Sequence, residues 1–130
     1  MKFLCLCYYD TAAFAKLTSA EAAKIAPACE PHDARLKATG KVPVIGSLAS
    51  PEKWSTFVPR DGKPGHRSGA HTAGTQQAGA FFIVEAQDME EAKAVASKHP
   101  AANFGEHLGF AVEVRPCERY EEHPPRGEAR

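Results

Sequence analysis

The chain has 130 residues, the size of one domain, and a chain of that length buries roughly two thirds of the surface it exposes when unfolded, so one core is expected. Sixteen Lys plus Arg balance sixteen Asp plus Glu, with no long block of like charge, which excludes a nucleic-acid or membrane footprint and leaves a small molecule or a second copy of the chain as the expected partner. The opening "MKFLCLCYYD" is too short to span a bilayer and lacks a signal-peptide cleavage pattern, so a cytoplasmic protein is expected, with Cys5, Cys7, Cys29 and Cys117 reduced.

Lys2 to Tyr9 reads as a strand, apolar on both faces. Cys5 and Cys7 fall on one face of it, roughly 6.5 to 7 Å apart at the backbone, a spacing long for a disulfide or for two ligands of one zinc, and they read as small buried hydrophobes. A long helix from Ser19 to Thr39 follows, opened by Thr18 and Glu21 at capping-box spacing and stopped by Gly40; Pro27 and Pro31 predict a kink or a break in it. On that helix Ile25, Cys29, His32 and Leu36 recur at four, three and four residues and form a stripe turned toward the sheet. Asp33, about 100° around the helix from His32, is assigned to the solvated face with Arg35 and Lys37.

Val42 to Leu48 reads as a second strand, with Pro43 at an edge, and "STFVPRDGKPGHRSG" as a short strand running into a turn-rich loop. Gly79 to Ala86 is a strand apolar on both faces. Asp88 then caps a helix whose stripe is Ala92, Val95 and Ala96, with Glu91 at the capping-box position and Pro100 as its end, and Gly109 to Pro116 is the last strand. The domain is expected to span residues 1–118, followed by a charged tail at 119–130.

Strand, helix, strand, strand or hairpin, strand, helix, strand is the order of an α+β ferredoxin-like sandwich. Two helices cover one face of such a sheet, yet Leu4, Leu6, Tyr8, Phe81 and Ile83 make the other face apolar as well. A homodimer that packs these open faces together into a dimeric α/β barrel is therefore expected.

The stretches "MKFLCLCYYD", "HDARLKATGKVPVIGSL", "QQAGAFFIVEAQDMEEAKAVASKHPAANFG" and "VEVRP" together resemble the YCII-related superfamily, over nearly the whole chain to about Glu118. One branch carries a D-G-P-F motif about a dozen residues before the strand matching "AFFIVEA"; the corresponding residues here are Ser68, Gly69, Ala70 and His71, so only the glycine is kept, although Gln77 and Gly79 fit that branch. "HDARLKATGKVPVIGSL" is more similar to the YciI branch, which has a histidine of a candidate active site at the position of His32. The resemblance implies a dimeric ferredoxin-like barrel and, for a few members, dehydrochlorinase-type action on small hydroxylated aromatics. Where the YciI branch often has an acid before proline, near the end of the second helix, this chain has His99 before Pro100, so the acidic partner of His32 is left unassigned.

His32 is thus a candidate general acid or base, against the alternative of a core histidine satisfied by a backbone carbonyl. His71, in the glycine-bearing loop "SGAHTAG", is a second candidate, against a solvent-facing loop histidine. Arg60 and Arg67 are candidate holders of a carboxylate or phosphate, and Ser47 with Trp54 a candidate wall for an aromatic substrate. His32, His66 and His71 match no established ligand spacing, and neither a metal nor another cofactor is implied. Three functions remain open: a small-molecule enzyme, lyase-like and dehydrochlorinase-like, with a cleft histidine as general acid or base; a non-catalytic ligand-binding or regulatory dimer; and, by analogy of fold alone, a haem or metal oxygenase.

Overall fold

A computed structural model describes residues 1–127. β1 (Lys2–Asp10) leads into three helices, α1 (Thr11–Ala15), α2 (Ser19–Ala23) and α3 (Ile25–Ala38), followed by β2 (Val44–Ser47), β3 (Ser55–Arg60), β4 (Lys63–Ser68), β5 (Gln76–Glu85), α4 (Met89–Ala96) and β6 (Ala111–Pro116). The main sheet has the order β2-β5-β1-β6 with every neighbouring pair antiparallel, consistent with a ferredoxin-like α+β fold.

The register decides which side chains meet. Phe3 lies opposite Val84 and Cys5 opposite Phe82, so these four share one face of the sheet. Leu36 of α3 and Ala92, Val95 and Ala96 of α4 pack onto that face. Phe3, Cys5, Leu36, Phe82 and Val84 are the fully buried centre of the core, and each of the larger aliphatic and aromatic side chains there contributes roughly 1.5 to 3 kcal/mol by leaving water. On the opposite face Leu4 pairs with Ile83, Leu6 with Phe81 and Val44 with Ile83, and these side chains are only partly covered.

The predicted helix from Ser19 to Thr39 is two helices, parted at Lys24. The capping box forms as the spacing predicts: Thr18 Oγ1 accepts from the Glu21 amide at 3.1 Å and Glu21 Oε1 accepts from the Thr18 amide at 2.9 Å. The break falls four residues before Pro27 at the end of α2, where the proline ring would collide with the Ala23 carbonyl of a continuous helix. Pro31 lies inside α3, which runs through it. The sequence reading also passes over α1, a single turn capped by Asp10, whose carboxylate accepts from the amides of Ala12 and Ala13.

The turn-rich segment after Ser55 closes into a hairpin of its own, β3 against β4. Asp61 and Gly62, with φ of 52° and 76°, supply the two left-handed residues of a primed two-residue turn, whose twist matches that of the paired strands. Among the described residues no helix is long and apolar enough to cross a membrane.

Candidate active site

A cavity of about 370 Å³ lies between the helix-covered face of the sheet, α3 and the turn after α4. Each wall has an identifiable local cause. From β1 come Cys7 and Tyr9, two residues apart and so on the same face of the strand. From β5 comes Gly79, left without a partner by a bulge: Cys7 pairs with Ala80 and Tyr8 with Ala78. A methyl group at Gly79 would stand 2.9 Å from Tyr9 Cδ1, so the glycine is what lets the tyrosine ring lie against the strand. Tyr9 meets Phe14 of α1 edge to face at 4.9 Å between centroids, and Phe14 meets Phe110 at 5.9 Å, giving the cavity an aromatic side.

The polar groups come from α3 and from the turn. Cys29 and Asp33 are four residues apart on α3, hence one above the other, and both line the cavity. Opposite them is His99, which together with Pro100 starts a short 3-10 turn. The imidazole is almost fully buried, 9% exposed, and stacks on Phe82 with centroids 4.9 Å apart and planes 3° from parallel. Its Nδ1 accepts from the Ala101 amide at 3.0 Å, which leaves the ring proton of the neutral form on Nε2. Cys7 Sγ is 3.6 Å from Nε2 and 3.7 Å from Nδ1, nearly equidistant, so it does not lie in line with the Nε2–H.

The titration of these groups follows from burial around one negative charge. Burial lowers the His99 pKa from 6.5, partly offset by the Asp33 carboxylate, so the ring is neutral at pH 7. Burial pushes the Cys7 thiol up to about 12, with Cys5 and Asp33 adding to the effect, and burial followed by Asp33 raises Cys29. Both thiols are therefore protonated at neutral pH, which makes them polarisable wall and not nucleophile. All four cysteines are free.

Of the six candidate site residues, His32, His71, Ser47, Trp54, Arg60 and Arg67, the cavity gathers Ser47. His32 is half-buried beside it: its Nδ1 accepts from Arg35 Nη2 at 2.7 Å and its ring stacks on Phe104 at 5.8 Å, which in turn meets the cavity residue Phe110 at 5.7 Å. Trp54 donates from Nε1 to the Ala49 carbonyl at 2.8 Å. Arg60 is exposed beside the hairpin turn, and Arg67 is tied to His71, from Nη2 to its Nδ1 at 2.9 Å and to its carbonyl at 2.7 Å, with both residues exposed. Asp33 departs from the solvated position expected of it, because α3 packs with the Cys29, Asp33 and Leu36 side toward the sheet as well as the His32 edge. Among the described residues, no group of three or more His, Cys, Asp and Glu side chains is placed to hold a metal ion.

No curated protein matches the chain. Among solved structures, the chain is similar to 5-chloro-2-hydroxyhydroquinone dehydrochlorinase from Burkholderia phenoliruptrix in complex with 2,5-dihydroxybenzoquinone, at 20% identity and a TM-score of 0.45, over 95% of this chain and 96% of that one. The family model of the YCII-related domain matches residues 1–118. The chain belongs to the family of YCII-related domain proteins.

Proposed function

We propose that this protein is a small-molecule enzyme that moves a proton in the cavity between the sheet and α3, with His99 as the cleft histidine. The observation that carries the reading is the fixed ring of His99, stacked on Phe82 and held by the Ala101 amide, in the wall of a cavity that Asp33 also lines. The reaction class is an elimination of the dehydrochlorinase kind. Asp33 takes a proton from an acidic O–H or N–H of a small aromatic substrate, water gives a proton to the ring carbon that bears the leaving group, and loss of a second O–H or N–H proton from that keto or imine form expels the leaving group with its bonding pair to give a quinone-type product, while the Nε2–H of His99 hydrogen-bonds to the anionic charge that develops. A neutral imidazole held as a donor is suited to that last role, because it need not first lose a proton.

His32 is the rival for the proton-handling role, from the edge of α3, and the two histidines make different predictions. A panel of small hydroxylated and amino aromatics, followed by NMR in deuterated water, reports both product and solvent-derived label. His99→Asn keeps an acceptor for the Ala101 amide and is expected to lose roughly 100- to 10,000-fold in turnover, with His32→Ala affected far less. Turnover that survives in His99→Asn, or that vanishes in His32→Ala alone, removes His99 from the role. Binding without any conversion of the panel supports the non-catalytic reading instead.

The same proposal includes a homodimer through the open sheet face, motivated by the partly covered Leu4, Leu6, Phe81 and Ile83 side chains on it. Leu6→Glu, at the centre of that face, is expected to give a monomer in light scattering, and a wild-type monomer at high micromolar concentration would end the idea.

A further inference from the structure

The charged residues that line the cavity are all of one sign. Among the described residues, Asp33 is the sole charged side chain around the first cavity, and a second cavity of about 590 Å³, which shares Tyr9, Phe14 and Ser50 with the first, has Glu52 as its sole charged side chain. No lysine or arginine lines either one among the described residues. Glu52 is ionised at neutral pH, since Ser50 Oγ donates to its Oε1 and holds its carboxyl below the usual range. Asp33 makes no ion pair among the described residues, so no protein cation compensates it there. One side of the wall is the Tyr9, Phe14 and Phe110 cluster, and aromatic rings combined with an uncompensated carboxylate form the chemistry that binds an organic ammonium and disfavours an anion. The arginines that the sequence suggests for an anionic substrate lie elsewhere: Arg67 on His71, and Arg60 beside the hairpin turn.

We infer that the cleft takes a cationic aromatic, a small planar molecule bearing an amine, and rejects carboxylates and phosphates of the same shape. The inference deepens the proposed function and rests on the same cavity being the site. Asp33 reads the N–H donors of the amine, Glu52 adds a second negative charge where the cleft widens, and the aromatic side covers the ring.

Three isosteric probes test it on the full chain: benzylammonium, benzyl alcohol and benzoate, titrated at low ionic strength with NMR shifts of the Tyr9 and Phe14 rings as the readout. Benzylammonium is expected to bind most tightly, by roughly tenfold over the alcohol, and benzoate most weakly. Asp33→Asn and Glu52→Gln should each erode the preference, and the double variant should bind the three about equally. Benzoate binding as well as benzylammonium overturns the inference, as does a preference unchanged in the double variant or the absence of any shift at Tyr9 and Phe14. His99→Asn separates this from the proton-transfer reading. An ammonium preference that persists there while turnover is lost supports both; a preference intact beside turnover indifferent to His99 supports the charge selection and removes the proton-transfer role; turnover dependent on His99 with no ammonium preference removes the charge selection alone.

Discussion

The cavity and the β3–β4 hairpin with its following loop both contain histidine beside charged residues, and the contrast between them teaches what makes such a cluster chemical. In the hairpin region His66 lies against the exposed Phe57, and Arg67 donates to both His71 Nδ1 and its carbonyl, so the polar groups satisfy one another in water. In the cavity His99 is buried, satisfied on one nitrogen by backbone with only the soft Cys7 Sγ near the other, and it shares its space with a carboxylate that makes no ion pair among the described residues. Electrostatic interactions are weak where water screens them and strong where it is excluded. A cluster of the right residue types is therefore a site only where the fold dries it and leaves a donor and an acceptor unspent.

The sharpest way to break the comparison is to exchange the two histidines' fates. His99→Asn should cost roughly 100- to 10,000-fold in turnover, whereas His71→Asn should stay within a few-fold, since its ring lines neither cavity. Equal losses would mean that the loop closes over the cleft during turnover, and the hairpin would then join the site.

The second exchange concerns packing. Phe82 is fully buried and forms the plate on which His99 stacks, while Phe57 is 66% exposed on the hairpin. Phe82→Ala should therefore cost about 3 to 5 kcal/mol in chemical denaturation, and Phe57→Ala about 0.5 kcal/mol or less. A large loss in Phe57→Ala would place that ring in an interface, because none of the described residues buries it.

Much of this arrangement was legible in the sequence, and the parts that were not have physical reasons. The capping box at Thr18 and Glu21, the alternating faces of β1 and β5, and the Ala92, Val95 and Ala96 stripe of α4 follow from local periodicity and form as read. The stripe through Ile25, Cys29, His32 and Leu36 also holds as the less exposed side of α3, but a stripe has two edges, and sequence spacing does not say which edge faces a cavity. Asp33 lies on the edge beside Cys29, and His32 on the edge beside Phe104. A spacing of four from Cys29 was the signal for Asp33, obscured by the habit of placing charge in water. His99 carried a weaker signal, as the residue before Pro100 where related chains often have an acid, and only the pairing of β1 with β5 sets it against Cys7 and Phe82. The hairpin was one of the two readings of its segment, and Asp61 and Gly62, with their left-handed backbone, are the turn residues that decide for it.

A smaller effect sharpens the contrast through pH. Burial holds the His99 pKa below 6.5, so as pH falls through 6.5 the unfolded chain takes up this proton before the folded chain does. The stability that the neutral buried ring represents is thus complete above 6.5 and declines on acidification until the folded ring itself protonates. Urea denaturation between pH 8 and pH 5 should show this decline in the wild type, and a shallower one in His99→Asn, where the group is gone. Asp33 opposes the burial effect by favouring the charged ring, so Asp33→Asn should depress the His99 pKa further and extend the decline to lower pH. If removing the carboxylate leaves the acid limb unchanged, the two side chains do not feel each other across the cavity. Asp33 and His99 would then act as separate walls, and the elimination would lose its pairing of base and hydrogen-bond donor while the charge preference of the cleft could still stand.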